Sequence, residues 1–132
     1  MDEGIAGYVA YLSLSDSAYR ECIQAWHELQ FEIIRKAIGE GKWIAISGLS
    51  RENDWNTAEA SSPGLAFAEA YVTVNYLVSK YGLDRCVAIY ARVKDYGTIV
   101  GGAESALFSE TGLTPGQLEV SIRDWLAAGA PN

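Results

Sequence analysis

The stretch from Gly64 to Gly82, GLAFAEAYVTVNYLVSKYG, constrains the fold more than any other part of the chain. Between Pro63 and Lys80 it holds one formally charged side chain, Glu69. Phe67, Tyr71, Val74, Leu77 with Val78, and Tyr81 recur at steps of three and four, which aligns them on one face of a helix. The intervening positions are mostly Ala, Val, Thr and Leu, so the other faces are apolar too. A helix that is apolar nearly all round is covered by its neighbours rather than laid on a surface. At about 1.5 Å per residue it spans roughly 28 Å, enough to cross a small domain. Ser62 offers an N-cap with Pro63 at the first helical position, and Gly82 supplies the stop. The run is too short, and too polar at Glu69 and Asn75, for a membrane span. It predicts a central core helix, with Leu77 buried and Glu69 on the most polar of its faces.

Such a helix needs others to cover it, and 132 residues make one domain, 1–132, that buries about two-thirds of its chain's surface on folding. Residues 2–14 read as a helix with an apolar stripe of Ile5, Tyr8, Val9 and Leu12, weakened by Gly4 and Gly7. Ser15, Asp16 and Ser17 offer N-caps for a long helix from 18 to about 38. Its apolar residues are Tyr19, Cys22, Ile23, Trp26, Leu29, Ile33 and Ala37, widened by Phe31, Ile34 and Ile38, and Gly39 and Gly41 end it. Residues 42–58 are irregular: WIAIS has a strand-like composition but no second strand to pair with, so Trp43, Ile44, Ile46 and Leu49 are expected to pin a connector to the core. A polar loop from Asn53 to Ser62 then leads into the central helix. After Gly82 an amphipathic helix places Val87, Tyr90, Ala91 and Val93 with Lys94 in register, and a short helix follows Gly101 and Gly102 until Gly112 stops it. Thr114-Pro115-Gly116-Gln117 is a capping box with proline at its first helical position. The helix it opens packs Leu118, Ile122, Trp125 and Leu126. The expected fold is all-α: about six helices around the central one at 64–82, with one irregular connector at 42–58.

Charge narrows the partners. Ten Lys and Arg stand against seventeen Asp and Glu, a net charge of −7. An acidic chain without a basic cluster repels phosphate backbones, which argues against nucleic acid as a partner. No signal-peptide pattern begins at Met1 and no apolar run is long enough to span a bilayer, so a soluble chain with no membrane partner is expected. Cys22 and Cys86 lack a C-x-x-C partner and are read as two buried, reduced thiols, with one disulfide between helices as the other possibility.

Motifs for chemistry are incomplete. His27-Glu28-Leu29-Gln30-Phe31 invites comparison with H-E-x-x-H, in which two histidines hold zinc and the glutamate is the general base. Phe31 occupies the place of the second ligand and His27 is the sole histidine, so a satisfied or solvent-facing helix histidine is the better reading. There is no G-x-S-x-G elbow and no phosphate loop; Gly101-Gly102 lacks the lysine. Glu104 and Glu110 read as solvated carboxylates. By composition and spacing alone this is a helical domain without a complete active site.

Four blocks, taken in order, nevertheless resemble the latter part of the peptidase MA-like gluzincins, helical metallopeptidase domains. Asp2-Glu3-Gly4-Ile5-Ala6-Gly7-Tyr8 is similar to the family's E-G-x-A-x-Y segment. Gly41 to Leu49, GKWIAISGL, is similar to its G-K-x-I-P-L-x-x-L connector, with Ala45 where proline is common. Ala66-Phe67-Ala68-Glu69-Ala70-Tyr71 followed by Tyr76 to Gly82 is similar to its A-Y-A-x-S-Y…Y-L-x-x-R-Y-G helix. Glu110 to Thr114, Leu118-Glu119 and Trp125-Leu126 are similar to its closing helix.

The resemblance implies that Glu3 matches the family's third zinc ligand. It also implies that zinc and the H-E-x-x-H helix belong to a longer parent, since that helix precedes the E-G-x-A segment and only Met1 and Asp2 precede it here. The chain itself is then expected to be non-catalytic, with no cofactor of its own. The alternative is a stand-alone helical module for protein interaction or dimerisation. On the family reading the absent lobe should leave Ile5, Tyr8, Val9 and Leu12 without cover, so that the chain self-associates, a symmetric dimer being the commonest solution, or binds a protein partner. The alternative is that the 18–38 helix folds back over the first helix to give a compact monomer.

Overall fold

The computed structural model describes residues 2–46, 52–95 and 102–130. Among them are seven α-helices and no strand: α1 (Asp2–Leu14), α2 (Arg20–Gly39), α3 (Glu52–Ser61), α4 (Leu65–Tyr81), α5 (Leu83–Asp95), α6 (Gly102–Thr111) and α7 (Pro115–Ala127). The class is all-α, as expected. The helix count is one higher because the second part of the expected connector, and the polar loop expected at 53–62, form α3. That helix escapes a search for apolar periodicity. Its sequence ENDWNTAEAS is polar nearly throughout, and Ala58 is its buried residue among those whose side chains are described. The first part of the connector, 42–45, is irregular, and Trp43, Ile44 and Ile46 pack against the core. Ser47 and Leu49 lie outside the described residues, as do Gly101 and residues 47–49 of the GKWIAISGL block.

Helix α4 is the axis of the domain: α1, α2, α3, α5 and α7 all pack on it, and α6 rests on α5. Ala66, Ala68, Tyr71, Val72, Val74 and Leu77 are almost wholly buried, joined by Phe31 and Ile34 of α2, Cys86 and Ile89 of α5, and Leu118 and Ile122 of α7. Each fully buried large apolar side chain of this set contributes roughly 1.5–3 kcal/mol. Gly82 ends the helix at φ +86°, where its N–H reaches the Val78 carbonyl. The start differs from the expected Ser62–Pro63 cap. Gly64, at φ +80°, is the N-cap and lends no side chain. The carboxylate of Glu59 in α3 accepts instead from the Gly64 N–H (2.9 Å) and the Phe67 N–H (3.2 Å). A negative charge there satisfies otherwise orphaned amides and complements the helix dipole.

Three apolar faces are rotated from their expected positions. In α1, Gly4 and Gly7 are the buried residues; Ile5 and Tyr8 pack partly on the core, while Val9 and Leu12 are 50% and 48% exposed. In α2 the buried line is His27, Gln30, Phe31, Ile34 and Ala37, and Tyr19 and Leu29 face outward. In α5 the line is Cys86 and Ile89, leaving Val87 exposed. Successive helical residues lie about 100° apart, so a one-residue misreading turns a face away from the core. Helix α2 also starts later than its serines suggest: Tyr19 is the N-cap without a side-chain bond, and Ser17 Oγ accepts from the Tyr19 N–H at 3.1 Å in the turn before it. Cys86 is buried and Cys22 exposed, and both are free thiols, so neither the two-buried-thiol reading nor the disulfide holds. The Thr114–Gln117 capping box and the α7 core line of Leu118, Ile122 and Leu126 form as expected.

Candidate functional site

Three consecutive residues of α4, Glu69, Ala70 and Tyr71, are where α1, α2, the connector and α7 come together. Side chains two apart on a helix point about 200° apart, so Glu69 and Tyr71 serve opposite sides.

On the Tyr71 side sit α1 and α2. Gly4 lies against Ala70 so closely that a Cβ there would overlap the Ala70 carbonyl oxygen and stand 2.9 Å from Val74 Cγ2. A Cβ on Gly7 would stand 3.0 Å from the Tyr71 ring and 3.1 Å from the tip of the Trp26 indole. The two glycines do not merely weaken α1; they let its backbone approach α4. His27 of α2, 5% exposed, has Nδ1 2.6 Å from the Tyr71 hydroxyl, and Tyr11 of α1 stacks on its ring with centroids 4.4 Å apart. Burial holds the imidazole below its ordinary pKa, and the Glu28 carboxylate next to it offsets this only in part. The ring is therefore neutral and shares one hydrogen bond with the Tyr71 hydroxyl through Nδ1, its direction set by the tautomer. Burial also raises the Tyr71 phenol well above its usual range. The histidine is a buried core residue bridging three helices, neither solvent-facing nor fully satisfied: Nδ1 is bonded, while Nε2 is buried with no hydrogen-bond partner among the described residues.

On the Glu69 side sit the connector and α7. Glu69 is 0% exposed, not solvent-facing. Its Oε1 accepts the Ile44 N–H at 2.7 Å, and Oε2 has no hydrogen-bond partner among the described residues. Two residues on, the Ile46 N–H donates to Glu119 Oε1 of α7, also at 2.7 Å. The connector thus has alternate amides held by two carboxyl groups in place of a neighbouring strand. Desolvation pushes the Glu69 carboxyl up to about 8; its bond from Ile44 pulls the other way, and the Glu119 charge adds to the rise. Arg123 of α7 partly offsets the rise and stands over the Trp43 ring at 5.4 Å.

Glu3, the candidate zinc ligand, is exposed in the first turn of α1, beside the glycine seated on Ala70. Its carboxylate is of the right chemistry for zinc, but no three His, Cys, Asp or Glu side chains gather into a metal-holding group among the described residues. Glu110, read as solvated, pairs with Arg92 at 2.6 Å and ties α6 to α5. Sequence reasoning missed Glu69 as a structural group, because its partner is a backbone amide that carries no side-chain signature. The signal that could have found it is a lone acid inside an otherwise apolar helix, since a buried carboxylate must find donors.

The class so defined is an all-α domain built on one buried helix, with no described helix long and apolar enough to cross a membrane. Compared with protein-family models, curated proteins and solved structures, the chain matches none of them.

Proposed function

We propose that this chain is the supporting helical lobe of a zinc metallopeptidase of the gluzincin kind, non-catalytic by itself, contributing Glu3 as one ligand to a metal whose other ligands lie on an H-E-x-x-H helix. One observation carries the reading. The segments that resemble the family are scattered along the sequence, yet they meet at Glu69-Ala70-Tyr71. Gly4 and Gly7 of the first block lie on Ala70 and Tyr71. Ile44 of the second bonds Glu69, and Ile46 beside it bonds Glu119 of the last. A rigid seat of this kind is what a ligand on a helix's first turn requires, because metal affinity depends on how firmly the ligand is oriented. Zinc needs about three protein ligands even in a catalytic site, and the described residues supply one. When bound, zinc would polarise a carbonyl and activate water; this chain's share is to hold the Glu3 carboxylate in place.

The reading frame upstream of the Met1 codon tests the proposal. An in-frame H-E-x-x-H segment is the expected finding. A continuous upstream frame that lacks one favours the second reading, an interaction module, which the exposure of Val9 and Leu12 on α1 supports. Light scattering coupled to size exclusion then tests whether the α1 face mediates association. A dimer that Val9→Asp converts to a folded monomer supports the module, and a monomer at tens of micromolar removes it.

A further inference from the structure

At Glu69 the surroundings favour the neutral acid over the carboxylate. A fully buried carboxyl receives one amide hydrogen bond, leaves its second oxygen without a partner among the described residues, and has a second carboxyl, Glu119, acting on it. An ionised carboxylate so placed lacks the two or three donors that normally stabilise buried charge, whereas the neutral acid needs fewer. The element these two carboxyl groups hold, residues 42–46, is irregular over 42–45, has no sheet partner among the described residues, and is tied down through Ile44 and Ile46.

We propose that Glu69 and Glu119 form a proton-held latch: neutral Glu69 keeps the 42–46 connector and Trp43 seated on the core, and loss of the Glu69 proton loosens them.

The surroundings identify Glu69 as the titrating group. The charged side chains acting on it are both on α7, Glu119 disfavouring its ionisation and Arg123 favouring it. Glu59 of α3 is engaged with the Gly64 and Phe67 amides at the start of α4. From α1 and α2, Tyr8, Tyr11 and His27 act on Tyr71 on the opposite side, and Cys86 of α5 acts on Tyr8. The sign follows from linkage. Glu69 holds its proton up to about 8 when the latch is closed. Opening the connector gives up the Ile44 bond, which favours the carboxylate, but admits water and so removes the larger desolvation, returning the carboxyl toward the ordinary glutamate value of 4.5. Opening therefore becomes easier as pH rises between those values, about tenfold per unit, and levels off above the upper one.

Amide hydrogen exchange of the full chain, followed by NMR from pH 5.5 to 9, reads this directly at Ile44 and Ile46. The expected result is a protection factor, corrected for intrinsic base catalysis, that falls about tenfold per pH unit and flattens near pH 8. In Glu69→Gln it should be flat throughout, since the amide oxygen still accepts from Ile44 but cannot ionise. Protection that is flat in the wild type, or a fall that persists unchanged in Glu69→Gln, overturns the latch. Should that variant not fold, the wild-type Glu69 carboxyl carbon resonance decides: a midpoint near 8 supports the proposal, and one in the ordinary carboxylate range overturns it. The Glu3 assignment is untouched by either outcome.

Discussion

Gly4 of α1 lies against the backbone of Ala70 in α4, too close for a methyl group between them. With the approach of Gly7 to Tyr71 and Trp26 it seats the first helix, in the turn that carries Glu3. Gly4→Ala should therefore lower stability by at least the upper part of the ~1–3 kcal/mol that overpacking costs, despite alanine's better helix propensity. Gly7→Ala should cost less, because its neighbours are ring atoms of Tyr71 and Trp26 that can shift by tenths of an ångström. Gly116→Ala in α7, which meets nothing within 4 Å, is the control and should stabilise by up to about 1 kcal/mol. Urea denaturation midpoints rank the three.

Two residues of α4 give a second comparison. Leu77→Ala should cost roughly 2–5 kcal/mol through lost burial and the cavity left behind. The helix pattern places Glu69 outward, so that its removal would be nearly neutral; its burial reverses this. Glu69→Ala leaves the Ile44 N–H without its acceptor and should cost about 1–3 kcal/mol, while Glu69→Gln costs less at pH 8.5 than Glu69→Ala does. Chemical denaturation that finds Glu69→Ala neutral would contradict the bond to the connector.

The contrast between these residues shows what the sequence makes legible. Features specified by near neighbours are readable: the Thr114 capping box, the stops at Gly82 and Gly112, and the apolar run of α4 all form as expected. Features specified across the fold are not. Glu69 finds Ile44 twenty-five positions earlier. Gly4 and Gly7 look like helix weaknesses until α4 is laid against them. Helix α3 is held by position rather than by an apolar face, and its Glu59 caps α4 from a stretch that reads as loop. Glu3 is legible only through the family resemblance, since an exposed acid in a first turn is also what any helix dipole favours.

His27 should make the fold acid-sensitive in a defined window. Its imidazole is held neutral by burial, with a lowered pKa, so the unfolded chain binds the proton more readily. Its contribution is fully present above about pH 6.5 and is lost as pH falls below that through the depressed folded value. His27→Gln should be less stable than the wild type at pH 7.5, by about 1 kcal/mol or more through the broken Tyr71 bond. The gap should narrow between pH 6.5 and 4.5. A gap that stays constant over that range would show that the ring does not titrate in folding.

The most direct test of the proposed function is zinc content, measured on protein purified without added metal, for this chain and for the longer in-frame product with H-E-x-x-H that the proposal requires. The expected result is well under one zinc per chain for residues 1–132 and one per chain for the longer protein, with Glu3→Gln lowering zinc affinity at least about tenfold. Stoichiometric zinc on the chain alone, or full occupancy of the longer protein that ignores Glu3→Gln, would contradict the role assigned to Glu3.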